Sequence, residues 1–206
     1  MSQITKTISP DNNIYYFNGN IDVRICPKNA MTTIKHMAWQ FEKLEESAIH
    51  RVKMVRERCD RINPPFRKGS IRYAIKRDPI ERFLSAYRFL KKDYANTISI
   101  DQTLDKLETG DHDYEPHYMS QSYFLGVPED YDHVYDIKDT SKILEVIWYN
   151  RSTTEDDSIL ESFVQEVHMN KTHDQKHLGA FDVTDEQRDR ILELYDIDYK
   201  RGWHGH

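Results

Sequence analysis

The chain has 206 residues, of which 38% are hydrophobic and 31% charged, and this composition excludes a disordered protein. The net charge of −6 is uneven, because residues 51–92 carry a net +10 and residues 93–206 a net −16. Two cysteines are too few for a disulfide framework, no Cys/His spacing matches a zinc site, and no apolar run is long enough to span a membrane. We expect one soluble domain whose basic third either holds a polyanionic small molecule or is a solvated helical face.

The first predicted unit is a strand, a loop and a helix. It follows a polar leader at residues 1–19 that lacks the apolar centre of a signal peptide. Alternating residues predict a strand at 21–25, and apolar residues at helical spacing predict a helix from Thr32 onward. The loop between them favours an anion, because it precedes the N-terminus of a helix and also offers a lysine and two threonines. A solvated lysine and a threonine that only caps the helix are the alternatives.

A basic, helical segment is predicted at residues 50–61, and Asn63-Pro64-Pro65 ends it. The second unit then begins with an alternating strand from Ser70 to Lys76. Asp78 as cap, Pro79 in the first turn and Glu81 three residues after the cap predict a helix start.

Arg77 stands at the end of that strand, and Ser85 lies two turns into the helix. A guanidinium binds phosphate with two hydrogen bonds, and a hydroxyl can add another. Alternatively, Arg77 pairs with Asp78 or Glu81, and Ser85 is a small packing residue. Two such units in one domain suit a ligand with phosphate groups at both ends.

The rest of the chain gives weaker signals. Helices are predicted at residues 99–107, 141–149 and 184–194, the last opened by a capping box, and a strand at 131–137. Residues 201–206 are a tail without a clear structural signal. The alternation of strands and helices predicts the α/β class, with a central parallel sheet flanked by helices in a single domain over residues 1–206.

Two segments carry a family resemblance. The sequence I-K-R-D-P-I-E-R-F-L-S-A-Y-R at residues 75–88 closely resembles the 3′-phosphate-binding segment of the Golgi-type carbohydrate sulfotransferases, where R-D-P-x-x-R-x-x-S-x-Y recurs. The sequence C-P-K-N-A-M-T-T at residues 26–33 is similar to that family's 5′-phosphosulfate loop, without the glycine common in cytosolic relatives. Weaker similarities follow at residues 117–121 (H-Y-M-S-Q) and 170–172 (N-K-T).

The resemblance implies a P-loop-NTPase-like sulfotransferase fold and transfer of a sulfuryl group from 3′-phosphoadenosine-5′-phosphosulfate (PAPS), without a metal. The acceptor would be a hydroxyl or an amine; a carbohydrate is favoured, and a lipid, a small metabolite and a protein tyrosine stay open. Lys28 would be the catalytic cation that offsets charge on the leaving phosphate. The cofactor-binding residues implied are Lys28, Asn29, Ala30, Met31, Thr32, Thr33, Arg77, Ser85 and Lys171.

A general base is also needed, and histidine or glutamate suits that task near neutral pH. His117 is the first candidate because of its place in the H-x-x-x-Q segment, with His50 and Glu42 as rivals. The chain has no transmembrane stem, and we expect a cytoplasmic protein of bacterial or viral origin. The expected partners are a small-molecule or glycan acceptor, with neither nucleic acid nor a membrane span; oligomeric state is not indicated.

Two other functions compete with sulfuryl transfer. A kinase-like phosphoryl transferase would need a P-loop or a magnesium-binding acid after a strand, and the sequence has neither pattern. A nucleic-acid-binding module could use residues 51–92, where Tyr73, Tyr87 and Phe89 are interleaved with basic residues. The strand and helix spacing of these aromatic residues is better explained by core packing.

Overall fold

The computed structural model describes residues 14–17, 21–31, 33–34, 66, 68–93, 98–109, 116–149, 161 and 183–204. Only the backbone is described at residues 14–17 and 92–93. Several predictions fall outside the described residues: the basic helix at 50–61, the break after it, and the candidate site residues Thr32, Glu42, His50 and Lys171.

Among the described residues, four strands form one sheet in the order β1-β2-β3-β4. The strands are β1 (Ile14–Phe17), β2 (Ile21–Arg24), β3 (Ile71–Lys76) and β4 (His133–Asp136). The last three are mutually parallel, which confirms an α/β protein with a small open parallel sheet. Two expectations are corrected, because β1 lies within the predicted polar leader and pairs antiparallel with β2. Its sequence, I-Y-Y-F, is of the β-branched and aromatic type that favours strands.

The described helices of eight or more residues lie where the sequence predicted helices. They are α1 (Pro79–Asp93), α2 (Ile100–Thr109), α4 (Thr140–Tyr149) and α5 (Asp185–Leu194). The predicted capping box is present in α5, where Thr184 accepts from the Gln187 N–H and the Gln187 side chain accepts from the Thr184 N–H. Two short helices, α3 (Gln121–Leu125) and α6 (Asp196–Lys200), were not predicted. Within the described part of the chain, every helix is too short or too polar to cross a bilayer.

The sheet packs on both faces. On one face, alternate residues of β2 and β3 pack against α4, with Val23, Tyr73 and Trp148 in the cluster. On the other face, Ala74 packs against α3 and against Trp203, which is only 1% exposed. The tail expectation is therefore corrected, because the C-terminal segment contributes a core tryptophan whose indole N–H donates to the Gly126 carbonyl.

A third cluster of buried side chains joins α1, α2 and α5. Phe83, Tyr87 and Leu90 of α1 meet Leu104 of α2 and Ile191 of α5 there. Tyr73 and Tyr87 are 4% and 3% exposed, so both rings pack in the core, as their spacing predicted, and have no face open for stacking on a base.

Candidate functional site

The two predicted anion-binding segments lie side by side. Strands β2 and β3 are parallel neighbours with Arg24 opposite Ala74, so both chains leave the sheet at the same edge. Beyond that edge, the Arg77 Nη1 donates a 3.0 Å hydrogen bond to the Lys28 carbonyl. Arg77 Nε also lies 3.7 Å from the Glu81 carboxylate, so the pairing that the sequence left open is present too. A direct contact thus joins the two segments.

The loop after β2 has an unusual backbone. Lys28 has a φ of 69° and Ala30 a φ of 56°, although neither residue is glycine. An L-residue in this left-handed region costs roughly 1–2 kcal/mol, so other contacts must hold the loop. One of these is the hydrogen bond of 3.0 Å from the Asn29 N–H to the Cys26 carbonyl, which closes the turn.

Asn29 anchors this loop to the rest of the protein. Its side chain is fully buried, and its Nδ2 donates to the Ile75 carbonyl and to Gln121 Oε1, both at 2.9 Å. The side chains of Ala30 and Met31 pack against the core on the α4 side of the sheet. The side chains of Asn29, Ala30 and Met31, three predicted cofactor-binding residues, therefore stabilise the fold. Ala30 and Met31 can contact a ligand only through their backbone.

Gln121 connects the loop after β2, the β3–α1 turn and the C-terminal segment that carries His204. Its Oε1 accepts from Asn29 Nδ2 and, at 3.2 Å, from the Arg77 N–H, while its Nε2 donates to the Arg77 carbonyl at 3.3 Å. The same Nε2 lies 2.6 Å from His204 Nε2. Because Gln121 Oε1 accepts two bonds, its amide group faces His204 as a donor, and His204 Nε2 must be the unprotonated, accepting nitrogen.

The start of α1 is determined by nearby residues. The Asp78 side chain accepts from the Glu81 N–H at 2.9 Å, and the Asp78 carbonyl accepts the helix's first hydrogen bond, from the Arg82 N–H. Pro79 is the first residue of the helix, where the lack of an N–H costs nothing. The turn that carries Arg77 therefore has the geometry that the sequence predicted.

One face of α1 brings together three of the candidate site residues. Ser85 and Phe89 are four residues apart and share this face. The Lys28 ammonium lies 4.3 Å from the centre of the Phe89 ring, and the His117 ring centre lies 4.7 Å from it. Lys28 and His117 thus meet at Phe89, and Ser85, a half-buried residue, lies one turn before Phe89 on the same helix.

Arg82 of α1 holds the backbone on which Lys28 and His117 are carried. It is fully buried, and its Nε donates to the Pro27 carbonyl at 3.2 Å while its Nη2 donates to the His117 carbonyl at 3.3 Å. The neighbouring Cys26 is also buried, and this burial raises the pKa of its thiol to about 11. The thiol is therefore neutral at physiological pH and unsuited to act as a nucleophile.

The sequence interpretation missed four residues of this site. Gln121 and Arg82 were letters of the matching segments, but no signal showed that they bridge the two loops. Phe89 was taken only as an aromatic at helical spacing, and His204 as part of a tail. Among the predicted residues, Thr33 lies in the first helical turn after the loop, while Thr32 and Lys171 lie outside the described residues.

Comparison of the chain with family models, with curated proteins and with solved structures finds no match.

Proposed function

We propose that the protein is a PAPS-dependent sulfotransferase that modifies a hydroxyl or amine acceptor, with a carbohydrate as the favoured substrate, on a P-loop-NTPase-like sulfotransferase fold. The observation that carries this proposal is the hydrogen bond from Arg77 to the Lys28 carbonyl. It joins the two segments that resemble the 3′-phosphate and 5′-phosphosulfate sites of one family. A ligand with phosphates at both ends needs two such sites in one place.

The residues around this contact suit a polyanion. Lys28 and Arg77 supply two cations, and Ser85 stands one helical turn before Phe89, over whose ring Lys28 lies. The left-handed residues Lys28 and Ala30 are a local strain of the kind that clusters at ligand-binding loops. We assign Arg77 and Ser85 to the 3′-phosphate, and Lys28 with the backbone of the loop to the 5′-phosphosulfate.

PAPS would supply the sulfuryl group for an in-line transfer. The acceptor oxygen or nitrogen forms a bond to sulfur, the bond from sulfur to the bridging phosphate oxygen breaks, and adenosine 3′,5′-bisphosphate leaves. Lys28 offsets the charge that builds on that bridging oxygen. His117 takes the acceptor proton, and the Arg82 bond to its carbonyl fixes its backbone. Thr32 and Lys171 stay predictions for the cofactor site, as do His50 and Glu42 for the base.

Nucleotide binding tests the proposal first. Calorimetric titration of the wild-type chain should show tighter binding of adenosine 3′,5′-bisphosphate than of AMP or ATP. Arg77→Gln should weaken the binding of adenosine 3′,5′-bisphosphate by ~1.5–3 kcal/mol, because a charged hydrogen bond is lost. This corresponds to a roughly 10- to 150-fold higher Kd. The same variant should weaken AMP binding much less, since AMP has no 3′-phosphate and only the lost bond to the Lys28 carbonyl can affect the loop assigned to its 5′-phosphate. The exposed Arg188→Gln is the matched control. A preference for ATP, or no binding of any of the three, would contradict the proposal.

Turnover tests the catalytic roles. With PAPS and a panel of glycans, phenols and amines, mass spectrometry should detect the gain of one SO₃ on an acceptor. Lys28→Ala should abolish this gain while thermal unfolding stays cooperative, whereas Lys142→Ala, an exposed lysine paired with Asp139, should retain it. Near-normal turnover by Lys28→Ala would remove Lys28 from the mechanism. His117→Gln should lower turnover, because the acceptor proton loses its base.

A further inference from the structure

A second concave site lies apart from the residues assigned above. It is a pocket of about 360 Å³ whose lining comes from the end of β2, from α3 and from α6. The described residues that line it include neither Lys28, Arg77, Ser85 nor His117. Its size falls within the usual range for small-molecule sites.

One part of the pocket wall is apolar. Tyr123 and Ile197 line it, and each is 40% exposed, which places them among the few large apolar side chains that the described residues leave open to solvent. Phe124 lines it as well and is almost fully buried. Exposed apolar side chains that meet in a concavity indicate a ligand site more than scattered ones do.

The other part of the wall is cationic. Arg24 and Arg201 both line the pocket, together with Ser120 and Ser122, and the described lining contains no carboxylate. Arg201 commits one nitrogen to the Ser122 carbonyl, at 3.3 Å, so further donors of its guanidinium remain. Arg24 lies with its guanidinium carbon 4.6 Å from the centre of the Phe66 ring and is also hydrogen-bonded to the Tyr131 hydroxyl. A guanidinium has five N–H donors, so these contacts do not use all of them.

The carboxylate of α6 closest in sequence to these groups is already engaged. Asp198 is 1% exposed and accepts from the N–H groups of Gln121, at 3.2 Å, and Ser122, at 2.8 Å. Its charge therefore serves the N-terminus of α3. The Asp130 carboxylate lies close to Gly126 of the lining, and the two arginines outnumber it, so the pocket keeps a local preference for a negative group in a chain of net charge −6.

We propose that this pocket binds a small amphipathic anion: a ligand with an aromatic or aliphatic body that lies on Tyr123 and Ile197, and one carboxylate or sulfate group that Arg24 and Arg201 hold. The pairing of an apolar wall with guanidinium donors selects this chemistry over neutral apolar ligands and over polyanions. The inference does not depend on the proposed sulfotransferase function.

The test uses 2-naphthoate as the probe and 2-naphthamide as its neutral counterpart, titrated into the full chain and followed by NMR shifts of the protein. Naphthoate should bind at least ~10-fold more tightly than the amide. Arg201→Gln should lower the affinity for naphthoate by ~10-fold, because one charge-assisted hydrogen bond is lost, and should have little effect on the affinity for the amide. Arg24→Gln should act in the same direction. Tyr123→Ser should weaken both probes, and Arg188→Gln neither.

A competition experiment separates this site from the Lys28–Arg77 site. Arg77→Gln should leave naphthoate affinity unchanged, and saturating adenosine 3′,5′-bisphosphate should not displace naphthoate. Equal affinity for the acid and the amide, an unchanged affinity in Arg201→Gln, or displacement by the nucleotide would each overturn the proposal. Should Arg24→Gln fail to fold, Arg201→Gln and Tyr123→Ser still decide the outcome.

Discussion

The loop after β2 and the turn after β3 occupy equivalent places at the ends of adjacent parallel strands, yet different kinds of contact hold them. The β3–α1 turn begins its helix with its own residues, since Asp78 caps the helix that Pro79 begins, and the only distant side chain that the described residues show bonded to the turn's backbone is Gln121, at Arg77. The β2 loop adopts a left-handed backbone at Lys28 and Ala30 that its residues do not prefer.

The contacts that hold the β2 loop come from distant parts of the sequence. Arg82 reaches it from α1, and Gln121 reaches it from α3 through Asn29. One site therefore contains a locally encoded half and a half imposed by tertiary structure. A substitution in the first half should act on one helix end, whereas a substitution in the second should act on the whole site.

The largest effect is expected at Arg82, where one buried side chain holds two segments. Arg82→Met keeps most of the volume but removes the guanidinium donor from the Pro27 and His117 carbonyls, and the Pro27 carbonyl keeps only the weak Cys26 thiol donor, at 3.4 Å. At about 1–3 kcal/mol for each of the two carbonyls, the free energy of unfolding should fall by ~2–6 kcal/mol in urea titrations.

Arg82→Lys should recover little of this loss, because one ammonium cannot reach both carbonyls as the planar guanidinium does. Arg188→Met, on the exposed surface of α5, is the control and should change stability by less than about 0.5 kcal/mol. If Arg82→Met unfolds at the wild-type urea concentration, the claim that distant contacts hold the β2 loop is wrong.

A smaller and more local effect is expected at Asp78. Asp78→Ala removes the acceptor for the Glu81 N–H, and the loss of such a cap costs about 1 kcal/mol. Asp78→Asn keeps an acceptor and should lose no more than a few tenths of that amount. Hydrogen exchange should speed up at the start of α1 in Asp78→Ala while the amides of β2 stay protected. Loss of protection both at the start of α1 and in β2 would show that the two halves of the site are not separable.

The same contrast explains what the sequence could predict. The strands β2 and β3, the start of α1 and the α5 capping box follow from alternation, Pro79 and nearby capping residues, and all four are present. Features that depend on long-range partners were missed. Strand β1 pairs with β2 in antiparallel register, and Trp203 becomes a core residue only because α3 and the far face of the sheet surround it.

The candidate site divides in the same way. The segment from Arg77 to Ser85 could be recognised by its letters, and its turn has the expected geometry. The bridging roles of Gln121 and Arg82 could not be predicted, since each depends on residues more than thirty positions away in the chain. Composition and periodicity do not report which carbonyls a buried side chain will reach.

The smallest effect is expected at His204, and it depends on pH. Its Nε2 accepts from the Gln121 amide, so a proton on that nitrogen would set two donors against each other. Burial lowers the pKa of His204 below its ordinary value, and the Lys76 ammonium lowers it further. The charged groups that act in the opposite direction are Asp198, Asp78 and Asp136.

The sign of the pH effect follows from this lowered pKa. Between the ordinary histidine pKa, near 6.5, and the lower value in the folded protein, the unfolded chain binds more protons. The contribution of His204 to stability is therefore complete above that ordinary value and is lost as the pH falls below it. The wild-type melting temperature should drop between about pH 7.5 and about pH 5.5.

His204→Gln removes the titrating group and retains an acceptor for the Gln121 amide, so its melting temperature should fall less than that of the wild type over the same interval. The control is His133→Gln, at an exposed histidine of β4 that stacks on Tyr73, and this variant should lose as much melting temperature as the wild type does. Equal losses in the wild type and in His204→Gln would mean that the Gln121 contact does not select neutral His204. The C-terminal segment would then touch the network that holds the β2 loop without linking that network to pH.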